Sequence, residues 1–271
     1  MELSQELKEA IENAAELLMK AKYGVALTGA GMSVESGIPD FRGPDGLWTK
    51  YGEPPMDGYQ RFLRDPKGDW ERRIKKEGYA KELYETLEKA KPNPGHSALA
   101  ELEKLGILKC LITQNVDNLD RIAGVKNIAE IHGNLFWVRC IHCGSRYPRE
   151  QISLEVLPPH CPKCNGIMKT DGVMFGEPIP SDVLEKCQTE TDKCDCMLVA
   201  GTSAFVYPAA GFPREVAMRG SSLIEVNFSE TPLSLICKVS IRGKTAEVLP
   251  KIVEQIKRIF KRSTTNKALS T

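Results

Sequence analysis

Four cysteines stand in two matched pairs, Cys140-Ile-His-Cys143 and Cys161-Pro-Lys-Cys164, with seventeen residues between the pairs. Each Cys-x-x-Cys turn offers two thiolates, and two such turns at this separation can close a tetrahedron round one Zn²⁺. Four thiolates leave no position for water, so a metal held this way supports the fold and performs no chemistry. A redox pair is the competing reading, and His142 and His160 stand beside the ligands as alternative donors. A second group runs from Gly29-Ala30-Gly31 to Gly37-Ile-Pro-Asp-Phe-Arg42. Small residues at a strand-to-helix turn let backbone approach a phosphate, where the first helical amides supply donors. The match to a dinucleotide fingerprint is incomplete, because Val34 occupies the place of the third glycine. The continuation sets a carboxylate, a ring and a guanidinium on a loop bounded by Gly and Pro, which points to a site that acts on its dinucleotide.

Three further motifs carry polar chemistry. In Thr113-Gln-Asn-Val-Asp117, an amide pair and a carboxylate can hydrogen-bond a carboxamide and a ribose hydroxyl, although Asn115 and Asp117 could equally cap a helix. Two of the four histidines fall in the cysteine insert, and His132, before Gly133, is the leading general-base candidate. Gly201-Thr-Ser203 offers amides and hydroxyls to phosphate, and Asn227 offers an amide to a ribose diol. Phe175-Gly-Glu177 reads as an extended, glycine-containing edge able to pair with an extended peptide.

These motifs need strands to present them. The apolar runs at Gly24–Thr28, Ile107–Thr113, Met197–Ala200 and Leu223–Val226 suit buried parallel strands, and Ile128–Ile131 leads apolar into His132. Between them lie helical stripes: Leu7, Ile11, Ala14, Leu18 and Ala21, then Leu99, Leu102 and Leu105 after an Asn93-Pro94 start and before Gly106. Pro250 is expected to open a final helix carrying Ile252, Val253, Ile256 and Phe260. Strands alternating with helices predict an α/β fold, a doubly wound Rossmann-like parallel sheet. Its ligand crevice then lies at the carboxyl ends of the strands, where every polar motif falls. Two stretches break the alternation, 46–92 and 139–168, and read as inserts forming a smaller zinc-binding plus helical domain. The expected division is 1–45, 93–138 and 169–262 for the nucleotide-binding domain, 46–92 for the helical module, 139–168 for the zinc module and 263–271 for a mobile tail.

Composition narrows the class. At 271 residues, 41% hydrophobic and 27% charged, the chain is an ordinary globular protein, and a net charge of +1 gives no electrostatic case for nucleic acid or membrane binding. Arg72-Arg73 with Lys75-Lys76, and Lys257 to Arg262, read as solvated helix faces. The opening Met1-Glu-Leu-Ser-Gln-Glu is acidic and polar, and nine cysteines argue against a disulfide framework, so a cytoplasmic location is expected. Cys110, Cys194, Cys196 and Cys237 read as small buried hydrophobes.

From about Tyr23 to Val253 the chain resembles the sirtuin family of NAD-dependent protein deacylases, through the glycine segment to Arg42, the Gln-Asn-Val-Asp motif, His132-Gly133, the paired Cys-x-x-Cys, Phe175-Gly-Glu177 and Gly201-Thr-Ser203. The resemblance implies NAD as cofactor and one structural Zn²⁺ on Cys140, Cys143, Cys161 and Cys164. Gly29, Ala30, Gly31, Ser33, Arg42 and Trp48 would lie on the cofactor-loop side of NAD. Gln114, Asn115, Val116 and Asp117, with Ile38 and Asp40, would accept nicotinamide. Gly201, Thr202, Ser203, Asn227, Phe228, Ser229 and Thr245 would complete the cofactor site. An acyl-lysine peptide would enter between the domains, against Val173, Phe175, Gly176, Glu177 and Val206. The acyl oxygen would attack the nicotinamide ribose, with Asn115 and Asp117 serving the cleavage. His132 would then act as base on a ribose hydroxyl, giving free lysine and O-acyl-ADP-ribose. Phe41 would shield the intermediate from water.

Two positions depart from the family pattern: Asp120 stands where histidine is usual, and Trp70-Glu71 is followed by Arg73-x-x-Lys76 where desuccinylating members carry Tyr-x-x-Arg. Mono-ADP-ribosyl transfer would need the same NAD cleavage with another acceptor. An idle NAD- or acyl-peptide-binding module is the third reading, disfavoured by His132.

Overall fold

The computed structural model describes residues 4–76 and 79–268. Along the chain the elements are α1 (Gln5–Lys20), β1 (Gly24–Thr28), α2 (Leu47–Tyr51), α3 (Gly58–Arg64), α4 (Pro66–Lys75), α5 (Tyr79–Lys89), α6 (Pro94–Lys104), β2 (Leu108–Thr113), α7 (Leu119–Ile122), β3 (Ile128–Glu130), β4 (Trp137–Cys140), β5 (Arg146–Pro148), β6 (Met168–Thr170), α8 (Ser181–Lys193), β7 (Cys196–Ala200), α9 (Gly211–Met218), β8 (Ser222–Asn227), β9 (Val239–Arg242) and α10 (Thr245–Ala268). Six strands form one parallel sheet in the order β3-β2-β1-β7-β8-β9. Every residue of β1 and β7 is buried, as apolar runs covered on both faces must be. Alternate residues divide between two layers. Ala26, Leu198 and Ile224 pack with Ile11, Leu18, Leu99, Leu102, Ile252 and Ile256 of α1, α6 and α10. Val25, Leu27, Met197 and Val199 pack with Cys187 of α8 and Phe212 and Val216 of α9. The result is the three-layered, doubly wound architecture that the alternation predicts.

Register does the work of assembling the site. Thr28 pairs with both Thr113 and Ala200, Ala200 with Val226, and Thr113 with Glu130. One step beyond this row come Gly29, Gln114, Gly201 and Asn227, with His132 two residues past the end of β3. Five segments far apart in sequence therefore meet along one edge of the sheet.

Local signals explain most boundaries. Ser4 caps α1 by accepting from the Leu7 amide at 3.2 Å. Asn93 and His96 close a capping box on α6, with Pro94 at its first turn. Two expectations fail. No α-helix follows Gly29: two single-turn 3₁₀ segments, Ala30–Met32 and Val34–Ser36, take its place. Gly37, Pro39, Gly43, Pro44 and Gly46 come too densely for a helix to propagate. α10 opens at Thr245, so Pro250 lies inside it rather than at its start, and one backbone hydrogen bond is lost there. The same helix continues through Ala268, past Ser263, because no glycine or proline interrupts it; of the expected tail, 269–271 lie outside the described residues.

The two inserts build one body. β5-β4-β6 form a small antiparallel sheet. Trp70 of α4, fully buried, packs with Val138, Cys140, Ile152, Cys161 and Met168, and its Nε1 donates to the Met168 carbonyl at 2.8 Å. No described helix is long and apolar enough to cross a membrane.

Candidate active site

At the strand ends a cavity of about 1860 Å³ runs between the sheet and the inserts. Its floor is a contact between two glycines. The Gly31 amide donates to the Gly201 carbonyl at 2.8 Å. Gly201 has φ +60°, and a Cβ there would stand 2.4 Å from the Met32 nitrogen. No larger residue could bring the two loops this close. The Gly31 amide is thus spent on the opposing loop, not reserved for a phosphate. Gln114 uses both amide hydrogens, on the Thr28 carbonyl at 3.2 Å and Thr202 Oγ1 at 2.9 Å, so its carbonyl oxygen is what it can offer a ligand. The Asn227 amide is also engaged: Nδ2 donates to the Thr202 carbonyl at 3.2 Å and Oδ1 accepts from the Phe228 amide. Asn227 lines the cleft, but its side chain braces the Gly201–Ser203 loop.

Behind Asn115 lies a buried polar chain. Asn115 Nδ2 donates to the Gly29 carbonyl at 3.0 Å and to Ser33 Oγ at 3.3 Å, and Ser33 Oγ donates to Asp117 Oδ2 at 2.6 Å. Asp117 Oδ1 accepts from the Leu119 amide at 2.9 Å, so this carboxylate holds both the first amide of α7 and Ser33. Burial pushes the Asp117 carboxyl up, while the Ser33 and Leu119 bonds pull it back. His96 stands 3.5 Å from Ser33 Oγ through Nε2, and its Nδ1 accepts from the Asn93 amide. Burial pushes His96 down to about 4, so it is neutral with its proton on Nε2. Asp120 is buried alongside, where desolvation and the Asp117 charge push it up to about 7. Its Oδ1 is without a hydrogen-bond partner among the described residues.

His132 meets the cleft itself. Its Nδ1 is 3.1 Å from the Gln114 carbonyl; donation there fixes the tautomer and leaves Nε2 as an unprotonated acceptor. Burial lowers its pKa and the Gln114 bond opposes the shift. The next residue, Gly133, has φ +76° and a Cβ position 2.2 Å from the Asp171 carbonyl, so the His132 turn is pressed against the chain just past β6.

Most of the expected residues line the cavity: Gly29, Ala30, Gly31, Asp40, Phe41, Arg42, Trp48, Gln114, Asn115, Val116, His132, Gly201, Thr202, Ser203, Asn227, Phe228, Ser229 and Thr245. Ser33, Ile38 and Asp117 do not: Ser33 and Asp117 form the buried chain, and Ile38 packs in a core cluster with Leu47, Leu83 and Leu119. The Asp40–Trp48 loop is a folded cap. Asp40 Oδ1 accepts from the Gly43 amide at 2.8 Å, and the Phe41, Trp48 and Phe175 rings follow one another at 4.9 and 5.7 Å between centroids. Arg42 lies 4.3 Å over the Trp48 ring and pairs with Glu53.

Val173, Phe175, Gly176, Glu177 and Val206 also line the cavity. The expected extended edge is instead a turn: Gly176 has φ +76°, and the Phe175 carbonyl accepts from the Tyr59 amide. The Glu177 side chain points inward, 3% exposed, onto Arg139 and Lys169, which leaves its backbone as the part that can face a peptide. Sequence reasoning passed over His96, Glu35 and Lys244. His96 was hidden as a helix-start residue. Glu35 accepts from Thr245 Oγ1 at 3.3 Å, and it and Lys244 line the cleft.

The four expected cysteines converge, with all Sγ atoms within 4.8 Å of one another. Cys140 and Cys164 are 3.5 Å apart and Cys143 and Cys161 3.7 Å. A tetrahedron with metal–sulfur arms of ~2.3 Å has edges of ~3.8 Å, so the set fits one Zn²⁺. His142 and His160 are outside it: His160 Nδ1 sits 2.8 Å from the Asn165 carbonyl.

A parallel sheet whose strand ends frame one deep cleft, beside an insert stapled by four cysteines, defines an α/β nucleotide-cleft protein with a structural zinc module. A model of the Sir2 family matches residues 29–208. The chain is 45% identical to the NAD-dependent protein deacylase of Pyrococcus furiosus over 254 residues, covering 91% of this chain and 98% of that protein. It is similar to a Sir2 homologue mutant in complex with ADP-ribose, with a TM-score of 0.80, 41% identity and coverage of 96% and 98%. It is also similar to a Sir2 mutant with deacetylated p53 peptide and 3'-O-acetyl ADP-ribose, with a TM-score of 0.77, 33% identity and coverage of 90% and 98%. The chain belongs to the Sir2 family.

Proposed function

We propose that this protein is an NAD-dependent protein-lysine deacylase that releases nicotinamide and O-acyl-ADP-ribose. The observation that carries this reading is His132, fixed in one tautomer by the Gln114 carbonyl, its pKa lowered by burial and its Nε2 available, in a cleft shared by the Gly31–Gly201 floor and the 173–177 wall. A module that only bound NAD would have no use for a base poised there. NAD supplies the electrophilic ribose carbon. The chain's own residues do the rest. The Gly29–Gly31 and Gly201–Ser203 loops receive the phosphates, and Asn115, supported by Ser33 and Asp117, orients the carboxamide end. His132 Nε2 accepts a proton from a ribose hydroxyl, which contributes about 10²–10⁴-fold where a positioned base is required. The Phe41–Trp48–Phe175 rings exclude water from the reacting carbons. An acyl-lysine segment of a protein is the partner that fits the wall between Val173 and Val206. The division into a nucleotide-binding domain and a two-insert small domain belongs to this reading, as does a reducing, cytoplasmic setting, which suits nine cysteines with no disulfide between them.

Incubation with acetyl-lysine peptide and NAD, followed by mass spectrometry, should yield nicotinamide and O-acetyl-ADP-ribose in equal amounts. His132→Ala should abolish deacylation, with no O-acetyl-ADP-ribose formed, while NAD still binds. Nicotinamide release with ADP-ribose attached to protein would favour mono-ADP-ribosyl transfer instead, and no release with any acyl peptide would sink both.

A further inference from the structure

Beneath the substrate wall lies a lysine that water does not reach. Lys169, the central residue of β6, has a side chain that is 0% exposed. Its Nζ donates to the Thr170 and Gly172 carbonyls, each at 2.7 Å, and stands 3.1 Å from Glu177 Oε2. Glu177 in turn accepts from Arg139 through Oε1 at 2.5 Å and from the Met174 amide through Oε2 at 2.8 Å. Arg139 also reaches Asp171 Oδ1 at 3.2 Å, and Asp171 Oδ2 accepts from the Asn134 amide and from Arg146. The chain from 170 to 177 is thereby fastened from below at both ends. From the side, the Val173 amide donates to the His132 carbonyl at 2.9 Å. That same stretch presents Thr170 and residues 172–177 to the cleft.

A buried ammonium is costly to desolvate, and a packed apolar residue would serve stability as well or better. Burial lowers the Lys169 pKa to about 8, with the Glu177 charge opposing the shift. What an apolar residue could not do is hold two carbonyls and a carboxylate at once, which fixes one backbone shape. We propose that Lys169 is a positioning residue for the acyl-lysine substrate: with Glu177 it locks the 170–177 strap in the shape that receives the peptide. The proposal rests on the deacylase reading, since the strap is taken as the peptide's wall.

The test uses the full chain with its zinc, in Lys169→Met and Glu177→Gln forms, the second keeping shape if the first does not fold. Amide hydrogen exchange is read first, because it needs no turnover. Val173 and Met174 should exchange about tenfold faster or more in either variant, while β1 and β7 stay unchanged. Steady-state kinetics should then show the KM for acetyl-lysine peptide raised about tenfold, with kcat within about threefold and ADP-ribose affinity within about twofold. Unchanged exchange at 173–174 in the folded variants would overturn the lock. A loosened strap with an unmoved peptide KM would overturn the positioning role, as would a rise in peptide KM matched by an equal loss of ADP-ribose affinity. If the wild-type protein turns over no acyl peptide, the deacylase reading and the substrate role fail together, while exchange still decides the lock.

Discussion

Gly201→Ala isolates the contact at the cleft floor. The substitution asks an L-residue to keep φ +60° and places its Cβ 2.4 Å from the Met32 nitrogen and 2.6 Å from the Gly31 carbonyl carbon. The left-handed backbone costs about 1 kcal/mol for alanine. One loop must withdraw by about 1 Å to reach ordinary contact distance, which breaks the 2.8 Å hydrogen bond from Gly31 to Gly201 and costs about 1 kcal/mol more. Met32 and Ala204 anchor the two loops in the apolar layers, so the empty protein relieves the strain locally, by letting the turns at Gly31 and Gly201 part. A bound dinucleotide requires them together. The sum, about 2 kcal/mol, should therefore appear in affinity, as an ADP-ribose Kd raised roughly 30-fold in titration calorimetry. The melting temperature should move by only a few degrees. A Kd within about threefold of wild type would show that these two loops do not form the phosphate floor, and the placement of the cofactor would have to be redrawn.

Ser33→Ala removes the hydroxyl that pulls the Asp117 carboxyl down. Asp117 should then protonate at higher pH, and the acid side of the NAD-cleavage profile should shift upward; an unshifted nicotinamide-release profile would free Asp117 from a role as an anion. His132 carries a pKa lowered by burial, so its base form persists as pH falls past the ordinary histidine value. The acid limb of kcat attributable to it should lie below about pH 6.5, and a limb above that value would contradict its neutral, buried state. Removing zinc with a chelator, or replacing Cys140 by Ser, should lower metal content from about one ion per chain and melt β4–β6 along with α4. A metal-free protein with unchanged circular dichroism and thermal stability would deny the metal a structural role.

Local rules carried the sheet and the zinc centre because their signals are short-range. Runs such as Gly24–Thr28 and Met197–Ala200 can only be strands buried on both faces, and the two Cys-x-x-Cys turns specify their own geometry. The row of site residues followed from strand ends plus parallel register. What sequence hid depends on partners that arrive from elsewhere. His96 looks like a helix-start residue until the Ser33 turn folds against it. Lys169 reads as an ordinary solvated lysine until Glu177 and two carbonyls close round it. The mistaken helix after Gly29 came from treating the glycines as one end of a phosphate-binding motif, when Gly31 is committed to a backbone contact with Gly201. The inward aim of the Glu177 side chain was hidden for a similar reason: its neighbours in sequence face the cleft, and the turn at Gly176 directs the carboxylate the other way.

Trp70 and the carbonyl it bonds lie ninety-eight positions apart in the chain. The indole fills the space between Cys140, Cys161 and Met168, so the helical insert supplies a wall of the metal knuckle and the knuckle supplies a pocket for the helix. Neither insert is a transplantable part. A chimera that took the cysteine segment from one relative and the helices from another would have to carry over the matching indole-and-carbonyl seam, or it would have two half-modules with no common interior. A change of side-chain volume on either insert is for that reason felt directly by the other.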